Sequence, residues 1–341
     1  MKNIIFDLQR FANPTQVVQD SLNKSTSEGL TDEMKTFYAD LIVDYAKPNL
    51  VHGQFAQKKT VPKNGGKSVE FRKYKPYGVA GKLTEGETPM GNKLEVSVIN
   101  AELAQYGDYT AVTDVVSLTA IDDNLLVAAR QHGDQAALTS DTITREVLAG
   151  GTNVLYAGGV SGRASLNAKL TAADIKNAVR KLKRKNAKTI NGSYVCIISP
   201  DISHDLTNDE AWIDVHKYAS PEEIFNGEIG KLYGVRFVET TNAKIFESSS
   251  DINLPSAKDG FMAAAGASGK AAVFATIVLG ADAYGEIELA GGNLKHIFKN
   301  FGSGGVSDPL EQRATSGIKF WQSAVRLSEE YMVRIESLAT V

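Results

Sequence analysis

The run DVVSLTAIDDNLLVAARQHGDQAALTSDTITREVLAG, from Asp114 to Gly150, is the longest stretch of the chain that reads as one helix. Apolar residues recur at Leu118, Ile121, Leu125, Ala128 or Ala129, Ala136, Ile143 and Val147, in steps mostly of three, four or seven that line one helical face. Asp122, Asp123, Arg130, Asp134, Asp141 and Arg145 fill the other side, which predicts a helix lying along a surface with one flank in water. Thr113 and Asp114 offer an N-cap, and Gly150-Gly151 offers a stop. At 1.5 Å per residue the helix spans roughly 50 Å, with a bend expected at His132-Gly133. So long a helix in a chain of 341 residues predicts a beam on which separate lobes are mounted.

The composition is that of a folded, soluble chain with room for about two domains. Hydrophobic content of 43% and charged content of 23% indicate neither disorder nor a membrane span, and the most apolar window, Ala271–Leu279, is too short to cross a bilayer. Ile4, Ile5 and Phe6 are followed at once by Asp7, Gln9 and Arg10, so no signal peptide is expected. A formal net charge of −3 argues against a dedicated nucleic-acid binder. The basic cluster Lys181-Leu-Lys-Arg-Lys185, with Lys188, reads as a helix end whose cations complement the dipole. The single cysteine, Cys196, excludes an intrachain disulfide and reads as a small buried hydrophobe in a strand.

Before the helix, Thr31-Asp-Glu33 opens a shorter helix through Met34, Phe37, Leu41 and Tyr45 that Pro48 ends, and the residues up to Lys24 read as an arm ordered only against a partner. From Gly65 to Val112 the period becomes two. Val69–Tyr74 alternates as a strand, and Val96–Val98 with Ala101, Leu103 and Tyr106 supports its return. Between them Gly78–Lys93 is a long polar excursion without a core, so the pair is expected to project as a hairpin that is marginal unless something packs on it. After a Gly-Ser hinge at Gly158–Ser165, a helix from Thr171, a buried strand at Tyr194–Ile198 and a turn followed by a strand within Ile229–Val238 make an α/β lobe reaching Phe246. Ser248–Gly269 reads as a connection, and strands resume at Ala272–Gly280, Tyr284–Leu289, Ile318–Leu327 and Glu330–Ile335.

Catalytic patterns are missing. Gly266-Ala-Ser-Gly-Lys270 has Ala264 and Ala271 where a phosphate loop needs glycine and a hydroxyl, and no Gly-x-Ser-x-Gly elbow occurs. The five histidines are scattered, and His204 and His216 with their neighbouring acids read as a solvated loop, not a metal set. Adjacent acids such as Asp122-Asp123 and Glu222-Glu223 point about 100° apart on a helix and form no dyad. No catalytic residue, cofactor site or metal site is therefore expected.

Several segments resemble the major capsid proteins of tailed bacteriophages, which share the Hong Kong phage capsid fold, and particularly the branch typified by the coat protein of phage N-four. They are Leu83-Thr-Glu-Gly-Glu-Thr-Pro89 for the extended loop, Gln105-Tyr-Gly-Asp108 with Thr113-Asp114 for the start of the spine helix, Gly230–Phe237, Val278–Tyr284, and Ser307-Asp-Pro-Leu-Glu-Gln-Arg313 with Gly317–Trp321. The resemblance implies an α+β fold with an N-terminal arm, an extended β-hairpin loop, a long spine helix, a peripheral domain and an axial α/β domain. It divides the chain into an arm (1–64), extended loop (65–112), spine helix, hinge and peripheral domain (113–170), axial domain (171–246) and return strands (247–341).

The same resemblance implies self-assembly as pentamers and hexamers into an icosahedral head that encloses double-stranded DNA without sequence-specific binding. Leu83, Thr84, Glu85, Gly86, Pro89 and Lys93 are the implied assembly contacts, and Asp308, Pro309 and Arg313 the structural family motif. Scaffolding protein, portal and decoration proteins are the implied partners, no membrane is involved, and the protein belongs in the virion after assembly in the host cytoplasm. An encapsulin-like shell enclosing protein cargo is the alternative the fold also allows.

Overall fold

The computed structural model describes residues 22–23, 51–62, 66–83, 85–86, 88, 91–120, 124–210, 212, 228–290, 294–305 and 308–341. In chain order they form β1 (Leu22–Asn23), β2 (Gln57–Val61), β3 (Ser68–Tyr74), β4 (Val96–Glu102), β5 (Ala104–Thr113), α1 (Asp114–Thr119), α2 (Asn124–Ala149), β6 (Val154–Tyr156), α3 (Ala172–Arg184) and β7 (Tyr194–Ile198). Then come α4 (Pro200–Thr207), β8 (Glu228–Leu232), β9 (Val235–Glu239), β10 (Ile245–Phe246), β11 (Val273–Leu279), β12 (Tyr284–Leu289), β13 (Lys295–Lys299), β14 (Arg313–Arg326) and β15 (Met332–Ser337). Two compact units result: Gln105–Thr139 and Gly292–Trp321 with β1 in the first, and Pro48–Ala104, Ser140–Gly291 and Gln322–Val341 in the second. The expected helix over Met34–Tyr45 lies outside the described residues, and of the arm before it only Leu22–Asn23 is described, paired parallel with Ala111–Val112 of β5.

The single long helix expected from the sequence is two helices. Ala120 caps α1 with extended backbone (φ −73°, ψ 143°) while its N–H still bonds the Val116 carbonyl, and α2 begins at Asn124. Asp122-Asp123-Asn124 are residue types that favour helix starts over helix interiors, which is the chemical reason for two helices where periodicity suggests one. Thr113 caps α1 as expected, its hydroxyl accepting the Val116 N–H at 3.4 Å. The 26 residues of α2 give a rod of about 39 Å, and it stays helical through His132 and Gly133.

Its buried face also differs from the apolar stripe. Ala128, His132, Ala136, Asp141, Thr144 and Leu148 are buried, whereas Leu118 on α1 is 85% exposed and Ile143 and Val147 are half-covered. Asp141 and Thr144 occupy core positions because other elements supply their hydrogen bonds, and His132 bonds Gln135 of its own helix, so hydrophobicity alone places the stripe wrongly.

In the first unit, β5 lies between β1 and β14, and β13 runs antiparallel to β14 from Lys295↔Lys319 to Lys299↔Thr315. Ala136 of α2 packs on Ile318, Phe320 and Tyr106, and the Tyr106 and Phe320 rings stack at 5.6 Å. Gln135 of α2 donates to Asp108 at 2.7 Å and, with the Tyr109 N–H, holds the Asp108 carboxyl below the usual range.

The second unit is built on a sheet ordered β6-β15-β11-β7-β9-β8, with β10 beside β11. Every residue of β7, β11 and β15 is buried; β7 and β11 are near-continuous apolar runs covered on both faces, while β15 also buries Arg334, Glu336 and Ser337. One face packs Cys196, Phe237, Phe274, Val278 and Ile335 under Ile175, Leu182, Ile202 and Leu206 of α3 and α4. The other packs Val195, Ile197, Ile277 and Leu279 against Leu148 and Val51. Burial pushes the Cys196 thiol far up, which leaves it an inert core residue as expected.

The Ile229–Val238 segment, expected as a turn and one strand, is a complete hairpin of β8 and β9, turned at Tyr233 and Gly234, which both take positive φ. Lys185, in the basic cluster, pairs with Glu330 at 2.8 Å. A second, smaller set of strands places β12 between β2 and the Gln322–Arg326 end of β14.

Candidate assembly surface

β3 and β4 pair antiparallel through seven residues, from Ser68↔Glu102 to Tyr74↔Val96. The return strand ends earlier than the alternation suggests: Leu103 breaks it, its N–H bonding the Lys67 carbonyl at 2.9 Å, and Tyr106 belongs to β5. Opposed residues share a face, so Val69, Phe71, Ile99 and Ala101 form one side of the ribbon, and Arg72, Tyr74, Val96 and Val98 the other.

The first side is anchored. Phe71 sits so tightly on Gly285 of β12 that a Cβ there would lie 2.9 Å from the ring, with Leu327 close by. Lys59 lies 5.0 Å over the same ring and donates to the Glu70 carbonyl at 2.9 Å. Lys73 donates to the Ser328 hydroxyl at 2.9 Å and lies 5.3 Å over Tyr331.

The other side is uncovered. Tyr74 is 55% exposed and Val98 48%, with Val96, Leu94 and Tyr77 similarly bare. Beyond the paired residues one exposed ion pair, Lys75 to Glu95 at 2.9 Å, closes the ribbon, and the described residues of the connection take no regular structure. Leu83 is 70% exposed, and Glu85, Gly86 and Lys93 are exposed as well, while Thr84 and Pro89 lie outside the described residues.

Two buried polar nodes hold the floor on which the hairpin stands. Asp141 of α2 accepts the His52 N–H at 2.8 Å, the His52 Nδ1 at 2.7 Å and the Asn242 amide at 2.8 Å. Burial opposes ionisation of Asp141, yet these bonds outweigh it and keep its carboxyl below the usual range. Next to Gly285, Glu286 accepts Thr144 at 3.1 Å and Gln322 at 2.6 Å. There burial wins, and the Glu286 carboxyl is pushed up. Neither node was visible in sequence: Asp141 read as solvent-facing, and nothing in the spacing brings Thr144 and Gln322 to Glu286.

Asp308 and Arg313 meet in the first unit, at the turn that opens β14. The Asp308 carboxylate accepts the Arg313 N–H at 2.9 Å, and its carbonyl accepts the Glu311 N–H at 3.1 Å, with Pro309 inside the turn. Both hydrogen bonds close the turn. Among the described residues no cluster of three metal-binding side chains occurs, and no helix is long and apolar enough to cross a membrane.

Residues 96–287, more than half of the chain, match the family described as phage capsid protein. No curated protein matches in sequence. Among solved structures, the capsid of Ralstonia phage GP4 superposes with a TM-score of 0.67 at 16% identity, covering 94% of this chain and 99% of that one. The capsid of cyanophage P-SCSP1u gives 0.66 at 15% identity, covering 94% and 97%. The capsid of cyanophage Pam1 gives 0.62 at 15% identity, covering 92% and 98%. These likenesses establish the α+β Hong Kong phage capsid fold, and the family match favours a phage coat over an encapsulin-like shell. The chain belongs to the phage capsid protein family, and its place is structural, as a non-enzymatic subunit of a self-assembled virion shell.

Proposed function

We propose that the protein is the major capsid protein of a tailed phage of the branch typified by phage N-four, assembling as pentamers and hexamers into an icosahedral head around double-stranded DNA. The observation that carries this reading is the two-faced hairpin: one apolar side is seated on its own subunit and the other is bare. A ribbon that leaves Tyr74, Val96 and Val98 bare on its uncovered side is unfinished as a monomer, and a neighbouring subunit is the surface that completes it. Leu83, Thr84, Glu85, Gly86, Pro89 and Lys93 extend that contact across the neighbour. Many such contacts, each weak, engage at once in a closed shell and make it stable.

In this reading residues 1–64 are the arm, 65–112 the extended loop, 113–170 the spine and peripheral part, 171–246 the axial domain and 247–341 the return strands. A net charge of −3 suits a container that holds its genome without gripping it along its length. Scaffolding, portal and decoration proteins complete the head, which assembles in the host cytoplasm. Electron microscopy of the purified protein, alone and co-expressed with its genomic neighbours, tests the proposal. Uniform shells tens of nanometres across, filled with DNA in the infected cell, are expected; a monomer under every condition, or shells filled only with a cargo enzyme, would contradict it.

A further inference from the structure

The sheet of the first unit has a second face, turned away from α2. Side chains alternate along each strand, so with Tyr106, Ile318 and Phe320 packed on the helix side, Tyr109, Gly317, Lys319, Lys295, Ile297 and Lys299 share the opposite side. A cleft of about 920 Å³ opens there. Gly317 forms its floor, since a Cβ at that position would meet Tyr109 Cβ at 2.9 Å. Tyr109 and the 44%-exposed Ile297 flank the floor in one row across the sheet.

The charged side chains that β13 places on this face, Lys295 and Lys299, and their neighbour Lys319 on β14 are all cationic. Lys295 and Lys319 are direct cross-strand partners, an arrangement that costs stability unless an anion lies between them. Lys299 lies two rows further along the same strand, about 13 Å away. None of the three has an ion pair among the described residues. The carboxylate at the cleft, Asp308, is already engaged by the Arg313 N–H.

Among the described residues β13 is also an edge strand: it pairs only with β14, and all five of its residues are exposed. Alternate N–H and C=O groups along Lys295–Lys299 therefore point away from the sheet, ready to pair with an added strand. Lysines at both ends of the edge repel the same edge of a second copy and attract an acidic strand.

We propose that this face and the β13 edge dock an acidic extended segment of a partner protein, with the pattern acid-x-apolar-x-acid. The partner strand pairs its main chain with β13, sets its acids beside Lys295 and Lys299, with Lys319 within reach, and lays its apolar residue on the Ile297 row. The inference goes beyond the shell-forming role and does not depend on it.

The test uses the full-length subunit, a fluorescent peptide carrying Glu-Thr-Val-Thr-Glu, a counterpart carrying Lys-Thr-Val-Thr-Lys and a short DNA duplex. Saturable, salt-sensitive binding of the acidic peptide is expected, with hydrogen exchange slowed at the Lys295–Lys299 amides. Lys295→Glu/Lys299→Glu/Lys319→Glu should weaken it about tenfold or more and bind the lysine peptide instead. The single variant Lys319→Glu, read the same way, gives a smaller loss and serves if the triple variant does not fold. Equal binding of both peptides, absence of saturation, displacement by the DNA duplex, or lysine-dependent self-association without peptide binding would each overturn the proposal.

Discussion

In the seven-stranded sheet of the second unit, β7, β11 and β15 are buried along their whole length, closed on one face by α3 and α4 and on the other by Leu148 and Val51. The β3–β4 ribbon of the same unit carries comparable apolar residues, yet only Val69, Phe71, Ala101 and their neighbours are covered, and Tyr74, Val96 and Val98 face water. The first region finishes itself with its own chain. The second leaves Tyr74, Val96 and Val98 bare, and that apolar surface has a use only when another molecule covers it. Stability of the subunit and competence to assemble should therefore be separable properties, lodged in different residues.

The sharpest break of this contrast comes in the closed region. Phe237→Ala empties a ring from the fully buried cluster and should cost about 3–5 kcal/mol, enough to unfold much of the free subunit in a denaturant titration. Gly285→Val acts at the junction: its side chain collides with Phe71, and overpacking of this kind costs about 1–3 kcal/mol. Hydrogen exchange should show the loss confined to the Ser68–Tyr74 amides, with the β7, β11 and β15 amides unchanged.

The buried carboxylates sharpen the comparison through pH. Glu286 has a raised folded value, so its favourable contribution is complete below the ordinary glutamate range and is lost as pH rises through the raised value. Glu286→Gln keeps an acceptor for Thr144 and Gln322 and should raise the melting temperature at neutral pH, with no gain in acid. Asp141 has the opposite sign: its contribution is present above the ordinary aspartate range and is lost as pH falls through its lowered value. Asp141→Asn should therefore lower the melting temperature at neutral pH and converge with the parent protein in strong acid.

The smallest effect on the subunit carries the largest consequence for the particle. Replacing Tyr74, Val96 and Val98 together with serine removes no packed contact of the ribbon's anchored side and should change unfolding by about 0.5 kcal/mol or less per site. Deleting Gly78–Lys93 should likewise leave the subunit folded. Both changes should abolish shells in sedimentation velocity, and loss of soluble folded subunit on either change would contradict the separation.

Much of this was legible in the residues. Period-two alternation marks β3 and β4, unbroken apolar runs mark β7 and β11, and Thr113 marks the start of α1. The hairpin's need for a packing surface was legible as well, but that Tyr74, Val96 and Val98 lie on the side opposite Val69 and Phe71 follows from the register of the pairing. What periodicity could not show is pairing at a distance. Asp141 reads as solvent-facing until His52, 89 positions away, and Asn242 supply its donors, and the strand pattern of Tyr284–Leu289 gives no sign that Thr144 and Gln322 converge on Glu286. The break between α1 and α2 was hidden for a different reason: apolar spacing continues across Asp122-Asp123-Asn124, and only their preference for helix starts argues against continuity.

Hydrogen exchange of the free subunit and of the assembled shell, compared amide by amide, tests the central claim most directly. The β7, β11 and β15 amides should exchange alike in both states, while amides of the β3–β4 ribbon and of Gly78–Lys93 slow sharply on assembly. Equal exchange of the ribbon in the two states would show that its bare face stays bare in the particle, and would contradict the account.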